Sequence, residues 1–170
     1  MQKRKIKRLF LLSFLGLCLI LLPLLEITGT TTPDEPPITV TMDNYYLSLT
    51  EANYYSLDDD GFEDDIITAC EFGTITGYNQ FFDIMLLEYV ELPSGLTYYI
   101  VYSIQGYFSS FEMVSDWHNI ATESGWYEFG VIISVNQFYD DIILDSCLVF
   151  DPPEGPEGGD PWITTSITPG

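Results

Sequence analysis

From residue 38 to residue 150 the apolar and polar positions follow the two-residue period of strands, and no segment carries a convincing helical period. Ile38-Thr39-Val40-Thr41-Met42 alternates as a half-buried strand does. Residues 66–72 form a second apolar run, followed by Gly73 and Gly77 as turn residues. Residues 81–92 and 96–108 are long β-rich runs separated by Pro93-Ser94-Gly95, a hairpin signature. Residues 111–117 supply another strand before an irregular stretch over 118–125. The clearest alternation sets Tyr127, Phe129, Val131, Ile133 and Val135 against Glu128, Gly130, Ile132, Ser134 and Asn136, which requires one buried face. Residues 142–150 close the set, and Pro152-Pro153 ends it by removing two backbone donors. About seven short strands with turn signals and no helical crossover predict an antiparallel two-sheet sandwich of immunoglobulin-like type, with a small closed barrel as the main rival.

The flanks differ from this core. Residues 1–8 hold Lys3, Arg4, Lys5, Lys7 and Arg8, and residues 9–25 are apolar apart from Ser13, Gly16 and Pro23. The segment 1–27 therefore reads as a membrane-targeting helix, either a signal peptide or a retained anchor, with its basic end in the cytoplasm and the rest of the chain exported. The run is long for a signal and short for a span, and no good cleavage site follows it, which favours the anchor. Cys18 sits mid-run without a lipidation context. Residues 28–37 form a Thr/Pro linker, residues 38–151 the sandwich domain, and residues 152–170 a Pro- and Gly-rich tail expected to be flexible, with Trp162 and Ile163 docking on the domain.

Charge narrows the partners. The five Lys and Arg all lie within the first eight residues, whereas the 26 Asp and Glu all lie beyond them. An exported portion without cationic side chains would be repelled by phosphate backbones and anionic lipid, so nucleic acid is excluded as a partner and divalent cations are favoured. Disorder is not implied, because the chain is 46% hydrophobic and 15% aromatic.

Two resemblances bear on this reading. Glu123-Ser124-Gly125-Trp126-Tyr127-Glu128-Phe129-Gly130-Val131 resembles the penultimate strand of PKD-type and related immunoglobulin-like domains. The resemblance implies that Tyr127 is a corner tyrosine whose hydroxyl bonds to nearby backbone. The whole arrangement also resembles exported archaeal surface β-sandwich proteins, which implies a fold more than a role. The second resemblance lies in Ser56-Leu57-Asp58-Asp59-Asp60-Gly61-Phe62-Glu63-Asp64, which is similar to the acidic calcium loops of FG-GAP, dockerin and thrombospondin type 3 repeats. Aligned on Gly61, the implied ligands are Ser56, Asp58, Asp60, the Phe62 carbonyl and Asp64. Ser56 stands where those loops carry Asp, and position twelve is Ile67 rather than Glu. A solvated acidic turn is the competing reading of the same residues.

Catalytic constellations do not assemble. His118 is the only candidate base, with no nucleophile placed beside it by sequence, and is expected as a loop histidine bonded to backbone. One His and distant Cys make no recognisable zinc site. The chain is therefore expected not to be an enzyme. Cys70 and Cys147 both fall on strands in an oxidising compartment and are either a disulfide or two buried thiols. Tyr45, Tyr46, Tyr54, Tyr55, Tyr98, Tyr99, Tyr102, Tyr107 and Phe108 divide between core and exterior, and an exposed cluster among them would mark a protein or glycan partner site. The function expected from these features is a calcium-stabilised cell-surface interaction or structural module. A carbohydrate-binding module is the alternative; a pilin-like subunit is disfavoured by Pro23 and a missing prepilin motif.

Overall fold

A computed structural model describes residues 37–57, 63–135, 142–151 and 159–170, and these form nine strands in two antiparallel sheets. The strands are β1 (Ile38–Met42), β2 (Tyr45–Tyr55), β3 (Asp65–Thr74), β4 (Gln80–Glu91), β5 (Thr97–Phe108), β6 (Ser110–His118), β7 (Tyr127–Val135), β8 (Ile142–Phe150) and β9 (Trp162–Pro169). One sheet runs β1-β2-β3-β6-β9 and the other β5-β4-β7-β8. No helix occurs among the described residues, and none there is long and apolar enough to cross a membrane. The targeting helix expected over 1–27 and the linker up to residue 36 lie outside them.

Alternation builds the layers. Along β4 the burial pattern places Phe82, Ile84, Leu86, Glu88 and Val90 inward and Phe81 and Met85 outward, and β7 buries Tyr127, Phe129, Val131, Ile133 and Val135. The facing sheet contributes Leu47, Leu49, Ile66, Cys70, Phe72, Phe111, Met113 and Trp117. Aromatic rings fill one end of the interior: Phe72 meets Phe82 edge-on at 5.4 Å between centroids, and Phe82 stacks on Phe108 at 4.6 Å. Only Ser109 separates β5 from β6, so the chain steps between sheets in a single residue.

Two strands depart from the expected pattern. Tyr45–Tyr55 is a full strand, but its register shifts between Leu49 and Glu51, so inward positions run Tyr45, Leu47, Leu49 and then Ala52. The bulge breaks the period that would reveal it. Trp162–Pro169, expected as part of a flexible tail, is instead strand β9, paired with β6 from Phe111↔Pro169 to His118↔Trp162. As an edge strand rich in threonine it has only a partly buried inner face, and the sandwich domain therefore extends beyond residue 151.

Two tyrosines cover glycines across strands. A Cβ at Gly130 would lie 2.2 Å from the ring of its register partner Tyr89, and one at Gly73 would lie 2.8 Å from the hydroxyl of Tyr46, also its register partner. Each hydroxyl then donates to a carboxylate, Tyr89 to Glu128 at 2.6 Å and Tyr46 to Glu71 at 2.5 Å. Burial, followed by the Glu71 carboxylate, pushes the Tyr46 phenol up to about 12. Gly130→Ala is expected to destabilise the fold by about 1–3 kcal/mol, because the Tyr89 ring must leave its place. Paired thermal melts of Gly130→Ala with and without Tyr89→Ala test this, since most of the loss should vanish when the ring is absent.

Candidate functional site

At the base of the acidic loop, Asp64 and Asp65 stand where the chain enters β3. Both are wholly buried. The Asp64 carbonyl accepts from Ile120 N–H and Ala121 N–H at 2.9 and 2.7 Å. The Asp65 carboxylate accepts from Leu57 N–H at 2.6 Å and from Asn119 N–H at 2.9 Å, and lies 3.4 Å from Nδ1 of His118. Asn119 occupies the left-handed region at φ 59. Asp65 thus ties both ends of the loop to the turn after β6. His118 ends that strand, and its ring stacks on Trp162 with centroids 3.6 Å apart, so its contacts are a carboxylate and an indole rather than the backbone partner expected.

Of the calcium-loop residues, Ser56 is exposed and Asp64 buried, while Asp58, Asp60 and Phe62 lie outside the described residues. Among the described residues no three His, Cys, Asp or Glu side chains converge as a metal would need. Tyr127 is wholly buried, and its hydroxyl donates to the Glu123 carbonyl at 2.9 Å and accepts from Glu123 N–H at 2.8 Å. The Glu123 carboxylate then accepts from Ser94 N–H and Oγ at 2.8 and 2.7 Å. One residue therefore joins the start of β7 to the β4–β5 turn.

Of the two readings left open for the cysteines, a disulfide or two buried thiols, neither holds in full, since one cysteine is buried and the other exposed. Cys70 points into the core from β3, whereas Cys147 is exposed on β8, alternating with the inward Leu148, and no bridge joins them. Strand alternation puts the two side chains on opposite sides of a sheet, so the Cβ atoms cannot meet. Burial pushes the Cys70 thiol pKa upward, which keeps it protonated.

A second polar centre lies between the sheets at Glu88 on β4. Its side chain is wholly buried, and no Lys or Arg exists beyond residue 8 to pair with it. Two donor chains converge on the carboxyl group instead. Trp117 Nε1–H donates to Thr68 Oγ1 at 2.8 Å, and Thr68 donates to Oε1 at 2.8 Å. Tyr102 donates to Thr165 Oγ1 at 2.5 Å, Thr165 and Ser115 share a hydroxyl contact of 2.9 Å, and Ser115 donates to Oε2 at 2.6 Å. Desolvation outweighs the two hydroxyls and raises the Glu88 pKa to about 7. This centre was not legible in the sequence, where Glu88 is one acid among 26.

The outer faces of the two sheets differ in chemistry. On the five-stranded sheet one cross-strand row reads Thr39, Ser48, Glu71, Glu112 and Thr168, all hydroxyls and carboxylates. On the four-stranded sheet the rows read Ser103, Met85, Ser134, Ile143 and then Val101, Leu87, Ile132, Asp145 and then Tyr99, Tyr89, Gly130, Cys147. Phe81 and Tyr107 add an edge-on ring pair at one end, with centroids 5.3 Å apart and planes at 62°. Tyr107 is 78% exposed and Tyr99 60%. Of the aromatics singled out in sequence, Tyr45 and Phe108 are core, Tyr98 and Tyr102 turn inward at the β5 edge, and Tyr46 and Tyr54 lie on the other sheet. The Tyr55 side chain lies outside the described residues. Met85, Leu87 and Val101 sit in strands that the sequence reads simply as β-rich, whereas the alternation over 127–135 already turns Ile132, which is buried here, away from the core.

Compared with family models, with curated proteins and with solved structures, the chain matches none.

The Glu88 pKa fixes a pH dependence. A carboxyl group raised from 4.5 to about 7 stays protonated in the folded chain where the unfolded chain has lost its proton. Its contribution is fully present below pH 4.5 and is lost as pH rises to 7, amounting to about 3 kcal/mol. Wild-type melting temperature is expected to fall from pH 5.5 to 7.5, and that of Glu88→Gln to stay level. Parallel slopes in the two proteins would remove Glu88 as the titrating group.

Proposed function

We propose that this chain is an exported, membrane-anchored or secreted surface module that acts by binding and not by catalysis, with the outer face of its four-stranded sheet as the binding surface. The observation carrying this reading is the apolar patch on that face, set against an opposite sheet on which one cross-strand row is all hydroxyls and carboxylates. Leu87, half-buried, stands in register between the exposed Val101 and the buried Ile132, with Met85 and Tyr99 45% and 60% exposed beside it, so the exposed apolar area lies on the β5–β4 half of the face. An exposed apolar centre with a polar rim is the anatomy of a protein contact site. The acids around it, Asp83, Glu91, Glu128 and Asp145, favour a partner that presents basic residues at its own rim.

The strand order supports the immunoglobulin-like form of this reading. Taking β3, β4, β6, β7 and β8 as strands B, C, E, F and G gives A-B-E on one sheet and C-F-G on the other, with β9 in the place of strand D. Tyr127 then opens strand F at the corner where the resemblance to PKD-type domains puts a tyrosine. Calcium at the loop 56–64 is proposed as a stabilising ion that would hold the loop above the Asp65 anchor. The carbohydrate alternative wants two or three coplanar rings, whereas Phe81 and Tyr107 cross at 62°. A protein partner is therefore favoured over a glycan.

Three measurements on the fragment 30–170 test the reading. A neutral solvatochromic dye should report the apolar face and lose at least about half its signal in Leu87→Gln with melting temperature kept. Retardation in polysaccharide gels, abolished by Tyr99→Ala, would replace the protein reading with the glycan one. Calcium should titrate saturably and raise the melting temperature, both effects being lost in Asp60→Ala; a response no larger than that to matched ionic strength would leave a solvated turn.

A further inference from the structure

Strand β5 is an edge, since the sheet order β5-β4-β7-β8 pairs only one of its sides among the described residues. It is 12 residues long and pairs with β4 without a register shift from Thr97 to Phe108. Between Glu91 and Glu112 the chain carries no charged residue and only one proline, Pro93, which precedes the strand. The usual protections of an exposed edge are a charge, a proline, a bulge or a short length, and β5 has none of them. The other three edges are guarded: β1 has five residues and follows Pro36-Pro37, β8 carries Asp145, and β9 ends at Pro169.

The flank around β5 is unusual in two further ways. Strand β9, which ends the other sheet, lies across from it through the Tyr102–Thr165 hydrogen bond, and its own residues Trp162–Pro169 include no charged side chain. The interior is also open there. Inward residues Tyr98, Ile100, Tyr102 and Ile104 are each only half-buried, whereas Leu144, Leu148 and Phe150 of the opposite edge β8 are buried.

We infer that β5 pairs antiparallel with β5 of a second copy about a two-fold axis, continuing the four-stranded sheet across the dimer and covering the half-open flank. Charge selects the occupant. Each copy beyond residue 8 is a polyanion without Lys or Arg, so like copies repel one another across their acidic surfaces and approach at least cost along an uncharged flank. A basic partner would gain nothing here and would be drawn to the carboxylates elsewhere. A 12-residue uncharged strand of high β-propensity offers its own copy a complete set of backbone donors and acceptors, and two-fold symmetry closes the contact instead of propagating it. This inference is independent of the outer-face reading above, because it uses the edge of the sheet and not its surface.

Sedimentation velocity of the full chain in density-matched detergent micelles tests it. The expected result is a concentration-dependent dimer that tightens as salt rises from roughly 20 mM to roughly 300 mM, because screening relieves the repulsion between copies. Ser103→Glu with Gln105→Glu places outward acids on β5, leaves Val101 and Leu87 of the outer face untouched and should weaken the dimer at least tenfold, while Ile143→Glu on the opposite edge leaves it unchanged. Ser103→Glu alone is the milder variant, and melting temperatures confirm that each variant folds. A monomer at every concentration, or a dimer that survives the β5 acids or is lost in Ile143→Glu, would overturn the proposal.

Discussion

The described residues contain no lysine or arginine, so the buried carboxylates among them draw on other donors. Burying an unpaired charge costs several kcal/mol, so the fold holds its interior acids with groups of another kind. Asp65 takes two backbone N–H groups and faces the single histidine. Glu88 takes two hydroxyls, each aligned by a further donor, and resides near the pH at which it gives up its proton. The two solutions differ in consequence. Backbone donors at Asp65 fasten a loop to a turn, whereas side-chain donors at Glu88 fasten one sheet to the other.

The same constraint orders the exterior. Carboxylates that cannot pair are spread over both outer faces, and Glu71 and Glu112 even stand directly opposite each other. On the four-stranded face Asp83, Glu91, Glu128 and Asp145 surround the apolar residues, and β5 itself carries no charge.

Much of the sandwich is legible in the sequence because alternation is a direct image of the pleat. Residues 127–135 and 142–150 coincide with β7 and β8, and the Pro93-Ser94-Gly95 turn does join two long strands. The signal fails where geometry disturbs the period. The shift at Leu49/Glu51 hides β2, and Thr165 on the inner face of β9 makes a strand look like a tail. Side-chain chemistry was less readable still. Pairing Cys70 with Cys147 needs knowledge of which way each Cβ points, and sequence carries that only once the strands are assigned to sheets. Glu88 gives no local sign of its role, because its partners Thr68, Ser115, Trp117, Thr165 and Tyr102 are spread over four other strands.

The Glu88 clamp also bears on how the two layers are aligned. Apolar side chains tolerate sliding, since a leucine finds a comparable neighbour one pleat further along. A carboxyl group does not. Shifting β4 by two residues against the facing sheet would set Glu88 over Cys70 and Met113, or over Ile66 and Trp117, and leave Thr68 and Ser115 against hydrocarbon. The clamp works as a detent between the layers, admitting a single alignment out of the several that greasy packing alone would permit.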